Sequence, residues 1–171
     1  MAGLDHAYRA AAIVRDAGGY IVGRTKLQKI AYFLEVAGIG AGFHFRYKHY
    51  GPYSEQLASA TQHASALKLI TEHESVANWG GLYSTFHSCI PADPAPNPAR
   101  IRIANEMVNA DAVELELAAT ALFLAKEGFT DPWTETARRK PDKADAGRLD
   151  KAKQLYQRLR AVQTPHPLPA L

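Results

Sequence analysis

The chain has 171 residues, 47% of them hydrophobic and 22% charged, which supplies one buried core and excludes a disordered or fibrous chain. A formal charge of +3 admits an anionic partner but is less lopsided than a dedicated nucleic-acid binder usually is. Cys89 is the single cysteine, which excludes an internal disulfide and a thiolate metal cage and points to a reducing cytosol; no segment approaches the ~20 apolar residues that span a bilayer.

The N-terminal run carries Asp5 and Arg9, so it reads as part of a cytoplasmic protein and not as a secretory leader. Leu4, Ala7, Tyr8, Ala11, Ala12 and Val14 predict a first helix over 4–17, ended by Gly18-Gly19. Thr25 is placed to cap a second helix with Leu27, Ile30, Ala31, Leu34 and Ala37 on its inner stripe. Lys26, Gln28, Lys29, Tyr32 and Glu35 fall off that stripe and are expected to meet solvent or a partner. Phe43, Phe45 and Tyr47 alternate with His44, Arg46 and Lys48, the period of a strand with one apolar and one basic face. Gly51-Pro52 is expected to break it, and Ser54 to cap a third helix to about Lys68, with Leu57, Ala60, Thr61, Ala64 and Leu67 inward. Residues 69–76 and 82–90 predict two strands turning at Trp79-Gly80-Gly81.

PADPAPNP at 91–98 reads as a stiff exposed connection, and Ile101 and Ile103 as a short third strand over 100–104. Asp111 with Glu114 resembles a capping box opening a central, buried helix; Thr130-Asp131-Pro132 starts a short helix over 133–139; a last helix covers about 144–162 with Leu149, Ala152, Tyr156 and Leu159 on one stripe. The fold class is therefore α+β, mostly α. One globular domain is expected over 1–162, with a winged-helix-like part at 1–90 packed, across the 91–98 connection, with a mainly helical part at 99–162. A flexible tail, 163–171, follows.

No catalytic constellation composes itself. The histidines are scattered as surface residues, Cys89 reads as a buried inert thiol, and Asp111, Glu114 and Glu116 are accounted for by the helix start. Gly38, Gly40 and Gly42 follow a helix instead of joining a strand to one, which excludes a phosphate loop of standard spacing. Arg138, Arg139, Lys140 and the cations of the last helix read as a solvated face interleaved with Asp142, Asp145 and Asp150. No cofactor or metal is expected. The stretch 23–57 remains: Arg24, Lys26, Gln28, Lys29, Arg46, Lys48, Tyr50 and Tyr53 form the candidate partner-binding set, suited to nucleic acid or to a protein with an acidic surface.

Arg24-Thr25-Lys26-Leu27-Gln28-Lys29, Phe43-His44-Phe45 and Tyr50-Gly51-Pro52-Tyr53-Ser54, with Ala118-Ala119-Thr120 and Lys140-Pro141 further on, resemble the YwgA-like proteins, related to the SocA-like (Panacea) antitoxin domain. The proline segment departs from that pattern. The resemblance implies a non-enzymatic bacterial or phage-associated protein-binding module, an antitoxin that neutralises a partner protein. The alternative is a winged-helix DNA-binding regulator with its third helix in the major groove.

Overall fold

The helical spacing of small apolar residues carries α1 (Ala2–Asp16), which buries Ala7, Ala10, Ala11, Ile13 and Val14 in the computed structural model, where residues 2–171 are described. Gly18 and Gly19 end it at positive φ, and a short strand, β1 (Tyr20–Val22), precedes α2 (Arg24–Val36). Thr25 does not cap α2: Gly23 holds the cap position, no side chain bonds there, and Thr25 lies inside the first turn. The helix also has no polar outer face along its middle, because every residue from Leu27 to Leu34 is buried.

The strand expected over 43–48 begins only after Phe43, which is packed in the core. β2 (Arg46–Lys48) pairs antiparallel with β3 (Gly51–Tyr53), so Gly51-Pro52 starts a partner strand instead of ending the ribbon. Pro52 stands opposite Tyr47 in a two-stranded ribbon, where both strands are edges and a missing N–H is tolerated. Ser54 then caps α3 (Glu55–Ala66), its Oγ accepting from the Leu57 N–H at 3.1 Å. Leu57, Ala60, Thr61 and Ala64 face inward as expected, whereas Leu67 lies exposed beyond the helix end.

β4 (Ile70–Val76) and β5 (Leu82–Ser88) form the expected hairpin. The third strand of this sheet is β1, paired with β5 in the order β1-β5-β4, and not 100–104. That segment is helical: Asn97 caps α4 (Pro98–Val108) by accepting from the Ala99 and Arg100 N–H groups, and Pro98 opens the first turn. The proline segment before it is held by an ion-pair chain in which Arg15 meets Asp16 and Asp93, and Arg100 Nε meets Asp16 at 2.5 Å.

Asp111 caps the central helix α5 (Ala112–Lys126), accepting from the Val113 N–H at 2.8 Å. α6 (Pro132–Arg139), capped by Asp131, and α7 (Arg148–Arg160) pack against α5. α7 starts later than expected and adds Leu155 to the buried stripe. Residues 163–171, expected as a flexible tail, have no regular structure yet are seated on the body: Leu168 is buried, the His166 N–H donates to the Ala37 carbonyl at 3.0 Å, and the Tyr156 hydroxyl donates to that of Pro169 at 2.5 Å. One apolar cluster runs from Ala7 through Phe33, Phe86 and Leu117 to Leu168, across both halves of the α+β, mainly helical chain. Among the described residues no helix is long and apolar enough to cross a membrane.

Candidate interaction surface

The β2–β3 hairpin is fastened from below by buried lysines. Lys29, 1% exposed on α2, donates from Nζ to the Pro52 carbonyl at 2.7 Å, and Lys140, at the end of α6, donates to that of His49 at 2.9 Å. An ammonium group satisfies backbone carbonyls that a tight hairpin leaves without partners. Glu116 on α5, 3% exposed, is the counter-charge: its carboxylate lies 2.7 Å from Lys143 Nζ and 3.9 Å from Lys140 Nζ. Beside it Gly51 approaches Thr120 on α5 so closely that an added Cβ would stand 2.7 Å from the Thr120 Oγ1.

The expected binding set is therefore divided. Gln28 and Lys29 are structural: Gln28 exchanges two hydrogen bonds with the Ser54 backbone, at 3.0 and 2.8 Å, and is buried with Lys29. Lys26 is half-buried, its Nζ donating to the Val108 and Ala110 carbonyls at the end of α4. Tyr32, also expected outside, is buried against Phe33 and Phe45. Arg24 stays at the surface, engaged by Glu72 at 2.6 Å. Arg46, Lys48 and Tyr50 are exposed and Tyr53 half-buried, all on the β2–β3 hairpin.

That hairpin collects cations the sequence did not connect with it. The Arg139 guanidinium lies over the Tyr47 ring at 5.2 Å, the Lys143 ammonium over Tyr50 at 4.8 Å, and that of Lys48 over Tyr53 at 5.0 Å. Lys48 also pairs with Glu55, and Arg139 with Glu135. A groove lined by His44, Arg46, Lys48, Tyr53, Glu55 and Gln56 lies beside a dish lined by Tyr47, Lys48, His49, Arg139 and Lys140, and Lys48 belongs to both. Lys140 is thus not part of a solvated face, and Glu116 is not a helix-start carboxylate. It is the fifth residue of α5, past the first turn, and its apolar neighbours Leu115 and Leu117 were the signal of burial.

A second exposed feature has the opposite chemistry. At the tip of the β4–β5 hairpin, Val76 is 70% exposed, Leu82 opposite it 65%, and Trp79 78%. The Trp79 indole lies across Gly81, where a Cβ would be 1.5 Å from the ring. No Lys or Arg occurs between Lys68 and Arg100, while Glu72 and Glu74 sit on β4. Cys89, expected buried, is exposed just past β5.

Burial pushes the Lys29 ammonium down to about 8, with Lys140 and Lys143 acting in the same direction against Glu116. Unfolded chains keep this proton to about pH 10. Between those values the unfolded state binds more protons than the folded one, so stability rises with pH. Lys26 and Lys140, also lowered by burial, add to the rise. The Tyr32 and Tyr156 hydroxyls, raised by burial, reverse it above about pH 10, where unfolded tyrosine ionises first. Urea midpoints are expected to be higher at about pH 9.5 than at about pH 7.5, with a smaller increase in Lys29→Met. A flat wild-type profile contradicts this account.

No family profile, curated protein or solved structure matches the chain.

Proposed function

We propose that this protein is a non-enzymatic protein-binding module that engages its partner through the tip of the β4–β5 hairpin. The observation that carries the reading is the cation-free apolar platform of Val76, Trp79 and Leu82, on a hairpin that projects from the core. An exposed aromatic flanked by aliphatic side chains is the composition of an interface anchor. The element order supports a winged-helix scaffold: α1, β1, α2, α3 and the β4–β5 wing, with β1 closing against β5 and the β2–β3 hairpin inserted between the second and third helices. The specific role we propose is that of a cytoplasmic antitoxin that neutralises a partner protein, possession of which the YwgA-like and SocA-like resemblance implies. Lys29, Tyr50-Gly51-Pro52, Thr120 and Lys140, drawn from its separate motifs, meet at one hairpin.

A DNA-binding regulator is the weaker reading. A wing that touches phosphates needs Lys or Arg, and this one carries Glu72 and Glu74. The outer face of α3 offers Glu55, Gln56, Gln62 and His63, without the cations that sit against phosphate and guanine.

The test is co-expression with the product of the neighbouring gene in the source genome, scored by rescue of growth and by co-elution. Trp79→Ser with Leu82→Ser is expected to weaken a complex by roughly thirtyfold or more, about 2 kcal/mol, without lowering the melting temperature. Absence of both rescue and co-elution for the wild type overturns the antitoxin role. Unchanged affinity in the double variant overturns the hairpin tip as the anchor.

A further inference from the structure

The outer face of β2 carries two cations, Arg46 and Lys48, against one carboxylate, Glu55, which pairs with Lys48. Arg46 and Lys48 are exposed two residues apart on β2, so their side chains leave the same face with a spacing of about 7 Å. The groove along that face, lined by His44, Arg46, Lys48, Tyr53, Glu55 and Gln56, measures about 460 Å³. Arg46 and Lys48 are the cations that line this groove, and Glu55 is the carboxylate among its lining residues. Alternate side chains of an extended polypeptide repeat at the same distance of about 7 Å.

We propose that this groove seats an extended acidic segment of the protein partner, with one carboxylate against Arg46 and the next, two residues on, against Lys48. The proposal rests on the protein-binding reading above and adds a second, electrostatic contact to the apolar tip. A single-stranded nucleic acid is the poorer occupant. It needs open aromatic faces for base stacking, and the tyrosine that lines the groove, Tyr53, is covered by Lys48. Glu55, paired with Lys48, competes with the incoming carboxylate. Its removal therefore strengthens binding, a result that general loss of structure would not give.

Isothermal titration of the full chain at low salt with a capped decapeptide of alternating Glu and Thr tests this, beside its Gln/Thr counterpart and a single-stranded oligonucleotide of equal charge. The Glu peptide is expected to bind, about tenfold or more weakly to Arg46→Ala/Lys48→Ala and severalfold more tightly to Glu55→Gln, with coincident thermal melts for all three proteins. Trp79→Ser/Leu82→Ser is expected to leave peptide affinity unchanged. Failure of the Glu peptide to bind, equal binding of the Gln peptide, displacement by the oligonucleotide, or no gain in Glu55→Gln overturns the proposal. The two readings fail separately. Loss of the groove leaves the effect of the tip variant on the partner complex intact, and loss of the tip leaves peptide binding intact.

Discussion

Glu116→Gln is expected to lower the free energy of unfolding by about 3–5 kcal/mol, the cost of removing one member of a buried ion pair. The substitution keeps the shape of the side chain and removes its charge, so the loss reports electrostatics and not a cavity. Glu116 is shared by Lys143 and Lys140, and its field also holds the proton on Lys29. Without it, two nearly buried ammonium groups and one half-buried one face a neutral amide. Lys29 and Lys140 then release protons more readily, and the variant should recover stability more steeply than the wild type as pH rises above about 7. Urea denaturation at two pH values reads both effects. A loss below about 1 kcal/mol would mean that the lysines reach solvent in the folded protein and that Glu116 compensates little.

The same cluster marks where the sequence was legible and where it was not. The helices with strong spacing and side-chain caps, at Ser54, Asp111 and Asp131, could be read directly, as could the β4–β5 hairpin about Trp79-Gly80-Gly81. Three residues of β1 hold too little pattern to register, and its partner lies more than sixty positions along the chain. The segment 100–104 alternates by accident: Asn97 and Pro98 supply a helix start, and Ile103, Ala104 and Met107 then share one buried face.

Lys29 and Gln28 show a different limit. A helix wheel sorts residues correctly when one side meets the core, but α2 is surrounded by α1, α4, α5, β1, β3 and β5. Its polar residues are buried because backbone carbonyls at Pro52 and Ser54 accept their protons, and those partners lie more than twenty residues away. Of the expected site, Arg46 and Lys48 were accessible to sequence reasoning through alternation along one strand, and Tyr50 and Tyr53 through their place among the cations of the same stretch. Arg139 and Lys143, which complete the surface, belong to a distant segment whose acidic neighbours made it look like ordinary solvated charge.

Gly51→Ala is the second large effect, an expected loss of about 2–5 kcal/mol from two separable causes. Gly51 has φ of +92°, a backbone conformation that an L residue with a side chain adopts only under strain, at about 1–3 kcal/mol. Its new methyl group would also be driven to 2.7 Å from Thr120 Oγ1, on a central helix that cannot retreat without disturbing Glu116 one turn earlier. The Thr120 hydroxyl has no hydrogen-bond partner among the described residues, so removing it breaks no bond seen there. Thr120→Ala in the Gly51→Ala background should therefore restore about 1–2 kcal/mol, although threonine-to-alanine at a buried site costs stability when made alone. The double-mutant cycle isolates the contact from the strain. Additive effects would mean that the two residues do not touch, and that the hairpin is held chiefly by the Lys29 and Lys140 bonds, to α2 and to the end of α6. Non-additivity would place the Gly51 approach among the features that fix the direction of β2, and with it the direction in which Arg46 and Lys48 present their charge.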